Sequence, residues 1–91
     1  MAGKGEIIIN PQWDMTDKRR VALEQLSALG VSVRSHVEES DFLIEIPLRT
    51  AYPEYIEIGY FIAQLGDENF PNLRFKESHP AFMQFVVKTK K

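Results

Sequence analysis

Two runs of strict alternation, Val31–Val37 and Phe42–Leu48, stand four polar residues apart, and a β-hairpin is the simplest structure that satisfies both. In the first, Val31, Val33, Ser35 and Val37 share one face, with Ser32, Arg34 and His36 on the other. In the second, Phe42, Ile44, Ile46 and Leu48 share a face, with Leu43 and Glu45 opposite. Glu38-Glu39-Ser40-Asp41 supplies the turn. Pro47 has no amide hydrogen to give a ladder, so the second strand should lose central pairing near that point.

A helical pattern lies on each side of this hairpin. Ala22, Leu23, Leu26 and Leu29 form a stripe that begins after Asp14 or Thr16 as cap and stops at Gly30, with Val31 packing back. Ile58, Phe61, Ile62 and Leu65 repeat at i, i+3, i+4 and i+7 between Thr50-Pro53 and Gly66. Gly59 interrupts this second helix, which predicts close approach to a sheet.

Glu6-Ile7-Ile8-Ile9 is a short β-branched run, expected as a central strand covered on both faces. Phe82–Val87 predicts the last strand, and 73–76 an additional one joined to it through Ser78-His79-Pro80. The resulting β-α-β-β-α-β order resembles, in element order alone, the ferredoxin-like sandwich, an α+β fold with two helices on one face of an antiparallel sheet. Ninety-one residues suffice for one such domain, with residues 1–5 expected to be flexible and 88–91 a basic tail.

The same residues narrow the chemistry. There is no cysteine, which removes disulfides, thiolate metal sites and a thiol nucleophile, and favours a reducing, cytoplasmic setting. No stretch is apolar for long enough to span a membrane. No GxSxG elbow, phosphate-binding glycine loop or HExxH occurs, so neither a catalytic residue nor a cofactor is expected. His36 and His79 occupy positions where solvent contact is the ordinary outcome. The carboxylates Glu38-Glu39-Asp41, Glu54 with Glu57, and Asp67-Glu68 lack the spacing of a metal loop, so no metal site is expected.

Charge is unevenly divided. Residues 35–70 hold Arg49 against eight carboxylates, a net of −7, whereas 71–91 carry a net of +4. Such an acidic middle repels phosphate, and the first strand offers isoleucines rather than the stacking aromatics of an RNA-binding sheet, so nucleic acid is not an expected partner.

What remains points to protein contacts. Ile8 and Leu43 should face away from the helices, and Phe85 belongs to a last strand that is apolar on both sides. An exposed apolar sheet face of this kind marks a partner or a second copy. The expected function is a non-enzymatic interaction module, accessory, regulatory or inhibitory, self-associating as a homodimer through that face. Glu38, Glu39, Asp41, Tyr52 and Tyr55 would add an acidic and aromatic contact surface. The alternative is a small-molecule sensor or enzyme with Arg34, His36, Glu45 and Arg49 converging at a subunit junction, and a nucleic-acid-binding domain stands third.

Overall fold

The computed structural model describes residues 4–36, 41–48, 50–68 and 72–88. Two helices and four strands follow in the order α1 (Asp17–Ala28), β1 (Ser32–Ser35), β2 (Phe42–Pro47), α2 (Tyr52–Leu65), β3 (Leu73–Ser78) and β4 (Phe82–Val87). The strands form one antiparallel sheet in the order β1-β2-β4-β3. Ala22, Leu23 and Leu26 of α1 and Ile58, Ile62 and Leu65 of α2 enter one core with Phe42, Ile44 and Ile46 of β2. Both helices therefore cover the same face of the sheet, and the α+β arrangement fits the ferredoxin-like layout in rough outline.

Local chemistry explains the element ends. Thr16 caps α1, its hydroxyl accepting the amide of Arg19 at 3.2 Å. At the other end Gly30 adopts φ 85°, its amide reaching Ser27 O and that of Val31 reaching Leu26 O. That is the paired bonding of a Schellman stop, which needs a left-handed residue at the glycine position. The 73–76 strand is real and longer than its minimum, and its register shifts between Phe75 and Glu77 against β4. The bulge and the exposed Lys76 blunt this outer edge against further pairing.

The N-terminal isoleucines are placed differently from their sequence pattern. The run 6–9 is not a central strand: it makes a single parallel bridge, Ile7 with Val33, on the outer edge of β1, and Ile8 and Ile9 are exposed. The centre is taken by β2 and β4, because β4 brings its own hairpin partner and pairs with β2 over six residues. Nor does Gly5 belong to a loose end. Its amide reaches Ser27 O, its carbonyl accepts from the Ser27 hydroxyl, and a Cβ there would collide with the backbone of Val31.

One charged side chain is buried in the helix pair. Arg19 donates from Nε to Leu65 O at 2.9 Å, from Nη1 to Asp14 O at 2.9 Å, and from Nη2 to Asp67 at 3.2 Å. Its guanidinium carbon also lies 5.6 Å from the centre of the Phe42 ring, which in turn packs on Trp13. Beside it, Lys18 pairs with Glu68 at 2.8 Å. Asp67 and Glu68 stand in left-handed backbone, at φ 56° and 62°, just past the end of α2, where the Glu68 amide donates to Ala63 O. The hydrogen bond from Lys18 lowers the pKa of Glu68 and raises that of Lys18. The increment from Glu68 is present above the ordinary carboxylate range and disappears as pH falls through its lowered value.

A lysine cannot present donors in three directions from a fixed plane. Arg19→Lys should therefore lose nearly as much stability as Arg19→Ala, about 2–4 kcal/mol in denaturant unfolding followed by Trp13 fluorescence. Full recovery in the lysine variant would show that only the charge counts.

Candidate functional site

The second helix is unusual for a surface element. Its fourteen residues carry only two charges, Glu54 and Glu57. Its core-facing side is filled by Ile58, Ile62 and Leu65. An ordinary surface helix would be polar on the remaining side. Here Tyr52, Ile56 and Tyr60, one turn apart in sequence, stand 87%, 76% and 60% exposed. The helix starts without a side-chain cap at Ala51. Thr50, expected to mark that start, turns its hydroxyl to Pro47 O, and Glu54 alone reaches back to the Ala51 amide, at 3.4 Å.

Gly59 does not meet the sheet. A Cβ built there has no neighbour within 4 Å, so the expected close approach is replaced by open surface beside Ile56 and Tyr60. On the other side of Tyr60 a shallow groove of about 300 Å³ separates the helices, lined by Asp17, Lys18, Val21, Tyr60, Phe61 and Gln64. Val21 is itself half exposed. The outer surface of the helix pair thus joins an apolar row on α2 to one apolar residue on α1.

The opposite face of the sheet is polar across its middle. Glu45 accepts from Gln84 at 2.7 Å and from Arg34 at 3.3 Å, and Gln84 meets His79 Nε2 at 3.4 Å. The same imidazole nitrogen lies 3.5 Å from Glu77. Both neighbours of Nε2 present acceptor oxygens, which the ring meets when that nitrogen bears its hydrogen. Lys76 holds the Glu77 carboxyl below its ordinary pKa, by hydrogen bond and then by charge, and His79 adds to the effect. The chain Arg34–Glu45–Gln84–His79–Glu77 ties four neighbouring strands together side chain to side chain.

The residues singled out from sequence are dispersed. Arg34 and Glu45 do meet, but on each other. His36 lies past the end of β1, where its amide donates to Asp41 O, and Arg49 lies outside the described residues. Leu43, expected in an exposed apolar patch, is only 6% exposed, as is Val86 opposite it in the register. Phe85 belongs to the helix side instead, half-buried against the core and edge-on to Phe75 at 5.5 Å. Ile8 is exposed at the far margin, so these three do not form one surface. Asp41 is buried and paired with Lys88 at 3.5 Å, which ties the start of the basic tail to the sheet. Glu38 and Glu39 lie outside the described residues. Tyr55 folds back, its hydroxyl donating to Pro47 O and Leu48 O at 3.2 and 3.3 Å, and only Tyr52 of the two projects into solvent.

Neither Ile56 nor Tyr60 is among the residues singled out from sequence. The signal was available: residues 52, 56 and 60 repeat at i, i+4 and i+8, on the side away from Ile58, Ile62 and Leu65. No family model, no curated protein and no solved structure matches the chain.

Two outcomes test these assignments. Glu45→Ala and Gln84→Ala should each cost about 1–2 kcal/mol, and a double-mutant cycle should show their losses to be coupled. Gly59→Ala should instead stabilise the chain by up to about 1 kcal/mol, measured at low protein concentration, since the methyl enters empty space on a helix.

Proposed function

We propose that this chain is a non-enzymatic protein-interaction module whose contact surface is the outer face of α2. The observation that carries this reading is the row Tyr52, Ile56 and Tyr60, three large apolar side chains left in water on one side of one helix. Exposed single hydrophobic residues need no explanation, but a contiguous row that includes two tyrosines has the composition of an interface centre. Tyrosine suits that role because it gives large area and a hydroxyl handle while losing few rotamers.

The reading places the contact on the helices rather than on the open sheet face, because the middle of that face is held by Glu45, Gln84 and Arg34 bonded to one another. Those polar groups are used within the sheet, which favours a structural role for them over a ligand site. The acidic character expected of the contact surface is retained through Glu54 and Glu57, which belong to the same helix as the row.

The test is photo-crosslinking in the native host. A photoreactive phenylalanine analogue replaces Tyr52 in one version of the full chain and Arg74, on the outer strand β3, in another. Discrete protein adducts are expected from position 52, removed by Ile56→Asp and weaker from position 74. Adducts equal at the two positions, or none from position 52, would dispose of this surface as the contact site.

A further inference from the structure

The row on α2 does not stand alone, and the charges around it narrow what can cover it. The helices run antiparallel, since Lys18 and Arg19 at the start of α1 grip Glu68 and Leu65 at the end of α2. Val21 and Tyr60 line the groove between them. One turn further along in the same direction come Glu24 on α1 and Glu57 on α2, both exposed. Neither has an ion-pair partner among the described residues. The cations nearby are already engaged: Lys18 with Glu68, and Arg20 with Asp17 at 2.9 Å. The uncompensated charge on this face is therefore negative, and it flanks apolar side chains.

We propose that this face receives a basic amphipathic helix from another protein, a deeper version of the interaction reading above and resting on it. The apolar residues of that helix lie on Ile56, Tyr60 and Val21, and a Lys or Arg beside its stripe enters between Glu24 and Glu57. Helix-in-groove recognition uses anchors about one turn apart, which is the spacing of the row on α2. An arginine suits the position between two carboxylates because its planar fork can donate to both.

Area and charge together disfavour a second copy of the chain. The exposed parts of Tyr52, Ile56, Tyr60 and Val21 amount to roughly 500 Å² of side-chain surface, below the ~800 Å² per partner of a standard stable interface but ample for one docked helix. Pairing α2 with itself about a twofold axis at the middle of the row would also bring Glu57 close to its own symmetry mate. Like charges brought together on loss of water oppose association. An anionic membrane surface is disfavoured by the same carboxylates.

The experiment selects from a displayed library of helix-forming 16-residue peptides on the immobilised full chain, after removing binders to the Ile56→Asp variant. Sedimentation of the free chain over a wide concentration range accompanies it. The expected winners have a net charge of about +3 or more and apolar residues at i, i+4 and i+7. Their affinity should fall about 30-fold with Ile56→Asp. It should fall about 10-fold with Glu24→Lys and Glu57→Lys combined, a loss largely erased by high salt. Circular dichroism should show the Ile56→Asp chain still folded, as expected for so exposed a side chain.

Winners that are acidic or neutral, or binding indifferent to Glu24 and Glu57, would overturn the proposal. Self-association that Ile56→Asp abolishes would assign the face to a second copy, defeating the basic helix but leaving the interaction module intact. Absence of any Ile56-dependent binder, of self-association and of crosslinks from position 52 would remove both.

Discussion

The placement of Arg19 governs the rest of the molecule. A guanidinium cannot be buried unless its donors are answered, because desolvating an unpaired charge costs far more than a small domain has in hand. The answers come from three separate pieces of chain: the carbonyl of Asp14 before α1, the carbonyl of Leu65 at the end of α2, and the carboxylate of Asp67 beyond it. One side chain thereby joins the head of the first helix to the tail of the second. The last carbonyls of a helix lack partners of their own and carry the negative end of its dipole, so a cation there is doubly suited. The antiparallel pairing of the helices follows, and with it the groove between Val21 and Tyr60.

Much of the fold was legible, and for identifiable reasons. The hairpin needed only alternation and a polar connection, both local. The stop at Gly30 needed only a glycine followed by a valine that could pack back. The 73–78 strand could be anticipated because its partner Phe82–Val87 lies just after a turn. What could not be read was choice among partners at a distance. Three isoleucines in a row suit a buried central strand, yet the neighbour they pair with depends on whether β4 arrives next to β2 first. Local pattern carries no information about that competition.

The candidate site shows the same division. Tyr52, Ile56 and Tyr60 share a face by helical periodicity alone, so their exposure followed once Ile58, Ile62 and Leu65 were assigned to the core. The burial of Asp41 was hidden for the opposite reason. A short acidic loop normally belongs to water, and nothing in Glu38-Glu39-Ser40-Asp41 says that Lys88, forty-seven positions later, will close on the last of them. Arg19 was likewise invisible, since a basic residue in a first helical turn ordinarily points to solvent.

The contrast between the edges and the helix face is the strongest argument that the latter is for contact. Each sheet edge is defended: β3 carries a bulge and Lys76, and the segment beyond β1 bridges at Ile7 alone and turns away at Pro11. Apolar side chains are also exposed at the edges, at Ile8, Ile9 and Phe75, so what sets the helix face apart is a continuous row on one helix rather than exposure alone. Replacing Tyr52, Ile56 or Tyr60 by a polar residue would disturb little of the core, so the fold itself does not require them. Glu57 on α2 and Glu24 on α1 have no ion-pair partner among the described residues, and both carry the same charge as their copies would. In the proposed reading they would oppose contact between like faces and favour a partner of opposite charge.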